Sequence, residues 1–121
     1  MIPDYLIDFL HENNLEKKDI EIPEEQDLSG VGADFFIMDE KGMQEETNEY
    51  YPGLVVKEDG YIGIGSCAIG SGDPYFINYN DGPEGPLYRI YHDSVSDEGY
   101  EKSEAIDIVL SSYMDIKKYI V

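Results

Sequence analysis

Between residues 54 and 92 the chain offers four short apolar segments, at 54–57, 61–66, 75–80 and 87–92, divided by glycine- and proline-bearing turns. Runs of this length with turn signals at their ends read as strands. Asp59-Gly60 lies between the first two, and glycine supplies the positive φ of a tight hairpin without steric cost. The last pair is joined through DGPEGP at residues 81–86, a connection of hairpin length. Strands linked this way form an antiparallel meander.

The ends of the chain carry a different period. Ile2, Leu6, Phe9 and Leu10 fall at i, i+4, i+7 and i+8, with Asp4, Asp8, His11 and Glu12 at other angles, which predicts an amphipathic helix. Pro3 suits its first turn, Asp4 favours the positive end of the dipole, and Asn13-Asn14 marks the exit. Ile106, Val109, Leu110, Tyr113, Ile116 and Ile120 repeat the helical spacing, with Lys117 and Lys118 near the negative end, so a closing helix is predicted from a cap near Ser103.

Residues 16–30 read as loop with a short strand at 20–22, residues 34–39 as a buried strand, and residues 44–51 as a short polar helix stopped by Pro52. Helices at both ends and strands between them predict an α+β fold. Residues 1–121 form a single domain in this reading, a central, mostly antiparallel sheet of about four to six strands with N- and C-terminal helices packed on it.

Charge decides which partners to expect. Asp and Glu number 27 against 8 Lys and Arg, a formal charge of −19, and the basic residues form no stripe. Phosphate binding needs clustered cations, so nucleic acid is excluded as a partner and a basic protein is favoured. No apolar run approaches the roughly 18 residues needed to cross a bilayer, so no membrane partner is expected. The opening MIPDYLIDFL lacks the basic start of a signal peptide, and Cys67 is the only cysteine, so a cytoplasmic location is expected.

No catalytic set emerges. Residues 63–68 (GIGSCA) satisfy a relaxed dinucleotide fingerprint, but the following IGSGDP cannot open a helix, so the glycines are read as a bend or bulge between strands. Cys67 with His92 and Asp93 would make a nucleophile, base and orienter, yet a lone cysteine in an apolar strand is ordinarily a small core residue. Two histidines without a second cysteine give no zinc set, and the acidic pairs fit no calcium loop, so no cofactor or metal is expected. Tyr75, Tyr79, Tyr88 and Tyr91 accompany Phe76 and Arg89 on neighbouring strands, where tyrosine serves equally as strand former and as binding anchor.

The stretch GYIGIGSCAIGSGDPYFINYNDGPEGPLYRIYHD, residues 60–93, resembles the central signature of the SUKH superfamily, which includes fungal cell-wall assembly regulators and bacterial immunity proteins. An IPDYLIDFL-type opening, NEYYPGL at residues 48–54 and an apolar closing segment occur in similar order, so the resemblance covers most of the chain. The chain departs from the family in having Asn13-Asn14 where an asparagine-glycine turn is frequent. The resemblance implies helices on a mostly antiparallel sheet and action by protein binding, in the bacterial branch by neutralising a cognate toxin, often a nuclease.

A basic toxin domain suits so acidic a chain, since opposite charge steers the encounter. The other branch implies an intracellular scaffold. Contact candidates are the loop Gly70, Ser71, Gly72 and Asp73, the turn from Asp81 to Glu84, and the exposed members of Tyr75, Tyr91 and His92. The loop has the competing role of merely turning the chain.

Overall fold

The computed structural model describes residues 2–68 and 72–121. Helix α1 (Asp4–Glu12) forms where the apolar stripe predicts it and buries Leu6, Phe9 and Leu10. Pro3 stands at its N-cap in extended conformation, and its carbonyl accepts the Leu6 and Ile7 N–H groups. At the exit the Asn13 amide donates to the Phe9 carbonyl over 2.9 Å, and Asn14 takes a left-handed φ of 52° that asparagine tolerates better than most residues.

Strands β1 (Asp19–Ile22) and β2 (Ala33–Ile37) pair antiparallel with Ile20 opposite Phe35. Helix α2 (Glu40–Asn48) begins where the Asp39 carboxylate accepts the Gly42 N–H at 2.8 Å. The predicted strand at residues 54–57 is overturned. Gly53–Val56 is a helical turn, α3, continued by a 3-10 turn at Lys57–Asp59. Its cause is packing rather than propensity: a Cβ on Gly53 would lie 2.0 Å from the Glu46 carbonyl oxygen, so this glycine lets α3 sit directly against α2 while Val56 is sealed beneath. Gly60 does adopt the positive φ expected of it, at 97°, but it ends the 3-10 turn instead of joining two strands.

The remaining meander is β3 (Tyr61–Cys67), β4 (Tyr75–Asn78) and β5 (Leu87–Ile90). The turn between the last two is a kinked 3-10 segment, Tyr79–Glu84. The glycine repeat of β3 makes a bulge: the register shifts between Gly63 and Gly65, and the Gly63 N–H is taken up by the Thr47 hydroxyl of α2 at 2.9 Å. A Cβ on Gly65 would stand 2.5 Å from the Phe35 ring, so that residue's lack of a side chain leaves room for an aromatic. The nominal dinucleotide motif thus lies mostly within a bulged strand.

After β5 come a two-stranded ribbon, β6 (Val95–Ser96) and β7 (Gly99–Tyr100), a single turn α4 (Lys102–Ala105), and strand β8 (Ile106–Leu110). The predicted single helix from Ser103 to the C-terminus is therefore corrected. β-Branched Ile106, Ile108 and Val109 suit a strand, and pairing with β5 satisfies backbone groups that a helix would have left open at that edge. The helical element that does close the chain is the 3-10 helix Tyr113–Tyr119, whose buried Tyr113 and Ile116 follow the three-residue period of that helix.

Among the described residues six strands form one antiparallel sheet in the order β1-β2-β3-β4-β5-β8, curled into a half-barrel. The Leu28 N–H donates to the Val109 carbonyl at 2.9 Å, tying the β1–β2 loop to the opposite edge strand. The chain end returns to β1 through the Ile20–Ile120 bridge and the Val121 N–H on the Asp19 carbonyl. The larger core gathers α1, the 3-10 helix and one sheet face, including Leu6, Phe35, Ile64, Tyr75, Leu87 and Ile116. Residues of the opposite parity, among them Tyr61, Phe76, Tyr88 and Ile90, form a second core with Val56, Val95 and Ala105. No helix of the described residues is long and apolar enough to cross a membrane.

Candidate functional site

Antiparallel strand order separates the sequence-predicted contact residues. Gly72, Asp73, Tyr91 and His92 lie at the end of the sheet where β4 begins and β5 finishes, whereas Asp81 and Glu84 belong to the turn at the opposite end. Gly70 and Ser71 lie outside the described residues.

At the first end the Asp73 carboxylate accepts the His92 backbone N–H at 3.0 Å and lies 2.7 Å from the ring Nδ1. Asp93 approaches Nε2 at 3.1 Å, so the imidazole sits between two carboxylates. Tyr91 is half-buried and donates to Asp107 over 2.7 Å; burial, followed by this hydrogen bond, raises its ionisation above the ordinary tyrosine range. Cys67 is half-buried at the end of β3 and not the sealed core residue expected of it.

Tyr75 is not among the exposed members of this set. Only 2% exposed, it stacks on Phe35 with ring centroids 4.3 Å apart, and its hydroxyl accepts from Arg89 at 3.1 Å. Arg89, the one arginine of the chain, is turned inward as well. It pairs with the buried Asp27 carboxylate at 3.0 Å, donates to the Gly32 carbonyl at 2.8 Å, and meets the Ser29 hydroxyl. The residue type that favoured a binding anchor serves here to clamp the β1–β2 loop.

The opposite end presents a concave surface. A cavity of 680 Å³ opens between the 3-10 turn after α3, the start of β3 with the end of β4, and the β6–β7 ribbon, lined by Glu58, Asp59 and Asp81, with Lys102 as the one basic side chain among the described residues that line it. A second cavity of 470 Å³ adjoins it and shares Glu58, Tyr61 and Asn80. Tyrosine hydroxyls fix the acids in place: Tyr88 donates to Asp81 at 2.6 Å, and Tyr100 donates to Asp59. Burial first, and then these hydrogen bonds to carboxylates, push both phenols well above the ordinary tyrosine range, so they remain donors.

The floor is held by amides. Asn78 donates to the Asp59 carbonyl at 3.1 Å and Asn80 donates to the same oxygen at 3.2 Å, while the Asn78 side-chain oxygen accepts the Asn80 N–H. Tyr79 projects from the rim, 54% exposed, and Tyr50, Tyr51 and Leu54 are exposed on the nearby α2–α3 junction. Sequence reading named Asp81 but not Asp59, Tyr61 or Tyr100. Asp59 looked like a turn residue, and Tyr100 reaches it across a separation of 41 residues.

No protein-family model matches the chain, and no curated protein or solved structure matches it. Among the described residues no group of three or more His, Cys, Asp or Glu side chains is placed to hold a metal ion.

Proposed function

We propose that this chain is a cytoplasmic immunity protein, which binds a cognate basic toxin domain of nuclease type and neutralises it by protein–protein contact, without turnover. The observation that carries this reading is the acidic, tyrosine-lined concavity on a sheet scaffold, within a chain of net charge −19. Nuclease surfaces are basic because they must approach phosphates, and an acidic ligand is drawn to that same surface. Exposed Tyr79, on the 3-10 segment after β4, and Tyr50 and Tyr51, at the α2–α3 junction, supply aromatic contact area beside the concavity. The SUKH-superfamily resemblance implies the same class of action.

Co-expression tests it. The chain is produced together with a basic C-terminal toxin domain drawn from a secreted protein of a neighbouring gene, where one is encoded. Co-purification as a stable complex, and survival of cells that the domain alone kills, are the expected results. Separate elution and undiminished killing contradict the proposal.

A further inference from the structure

We infer that the cavity between the 3-10 turn at Lys57–Asp59, the start of β3 with the end of β4, and the β6–β7 ribbon is a receptor for one arginine side chain of the basic partner. This rests on the reading of the chain as a binder of a basic protein and adds where, and through which group, the contact is made. The cavity has three carboxylates against one ammonium among its lining residues. That balance alone would describe only a solvated acidic surface.

The independent observation is Tyr61. Its side chain is 2% exposed, it lines both cavities, and its hydroxyl makes no hydrogen bond among the described residues, although its ring packs edge-on against Tyr88 with centroids 5.3 Å apart. The Tyr61 ring is buried while its hydroxyl, without a partner among the described residues, keeps access to the cavity, where its oxygen can accept a hydrogen bond from an incoming donor.

The acceptors left over match a guanidinium. Asp59 and Asp81 each receive one tyrosine hydroxyl and retain further lone pairs, and Tyr61 lines the same cavity. Five N–H donors in a fixed planar fork can engage several such acceptors at once, and the aromatic lining favours a delocalised, weakly hydrated cation over a compact ammonium. The cavity's 680 Å³ is ample for the side chain together with its adjoining backbone. Lys102 at the same cavity forms no ion pair among the described residues and opposes the incoming charge.

The test uses the intact chain, isotope-labelled, titrated with acetyl-Gly-Arg-Gly-amide and with its citrulline counterpart, which keeps the shape and loses the charge. The expected result is saturable chemical-shift change confined to the amides of Asp59, Tyr61, Asn78, Asn80, Asp81 and Tyr100, with none for citrulline. Asp81→Asn and Tyr61→Phe, each checked for an unchanged amide spectrum elsewhere, should weaken binding by about tenfold, the loss expected for one hydrogen bond to a charged group. Lys102→Ala should strengthen it. Shifts that spread over the acidic surface without saturating, or that survive in Tyr61→Phe, would overturn the inference.

The two readings fail separately. If the toxin domain binds Asp81→Asn and Tyr61→Phe as tightly as the parent chain, the arginine site is refuted and the immunity reading stands. If the peptide binds as described but no toxin complex forms, the reverse holds.

Discussion

Arg89 and Tyr113 show how single side chains set the stability of this fold. Arg89 shares a sheet face with Leu87, and its position opposite Tyr75 turns it into the larger core. Period two in LYRI makes that direction legible; its carboxylate partner, 62 residues earlier in a loop, is not. Removing one member of a buried pair leaves the other charge stranded, so Arg89→Met is expected to lower unfolding stability by about 3–5 kcal/mol in urea denaturation. A loss under about 1 kcal/mol would show that the clamp carries little.

Tyr113 is 1% exposed and its hydroxyl is unsatisfied among the described residues. Burial, aided by Tyr5, pushes its ionisation up to about 12. The unfolded phenol ionises near 10, as ordinary tyrosine does. The folded state therefore binds the proton more strongly, its contribution is complete below about pH 10, and it is lost as pH rises through about 12. Tyr113→Phe should be neutral or stabilising at pH 7 and should flatten the alkaline fall in stability, read by denaturation at pH 9 to 12. A phenylalanine variant that melts well below the parent at pH 7 would contradict this.

At the level of elements, regular periods were legible and tertiary choices were not. The α1 stripe, β1, β2 and the β3–β4–β5 meander could be read because apolar spacing and turn residues agree with the final packing. Residues 54–57 contain the strand-favouring pair Val55-Val56, yet the close approach of Gly53 to Glu46 and Thr47 makes them a helical turn. Gly53→Ala is expected to destabilise by at least 1–3 kcal/mol through overpacking against backbone. Gly30, at φ 79° with nothing within 4 Å of its Cβ position, should cost only about 1–2 kcal/mol as alanine. Denaturation curves of Gly53→Ala decide it; a loss below about 1 kcal/mol would mean that the α2–α3 contact yields easily and does not hold these residues in a helical turn.

The C-terminal segment misled because positions 106, 109, 110, 113 and 116 keep helical spacing across a strand, a break and a 3-10 helix. Only the open edge of β5 distinguishes these outcomes, and an edge is a property of the assembled sheet. The same holds for the candidate site. Asp81 could be named from its turn, but its convergence with Asp59, Tyr61 and Tyr100 depends on the β6–β7 ribbon folding back over the second core.

For the whole molecule, a charge of −19 acts as a field over distances longer than any contact. Association with a basic toxin domain should slow markedly between low and physiological salt, where the Debye length is about 8 Å, while dissociation changes little because it is governed by buried contacts. Stopped-flow mixing across ionic strength reads both rates; a salt-independent association rate would remove steering from the mechanism. Neutralisation itself is read by titrating this chain into the purified toxin domain while following cleavage of nucleic acid. The immunity reading predicts that cleavage falls in proportion to added chain and ceases near equimolar ratio, whereas cleavage that continues unchanged in excess chain would contradict it.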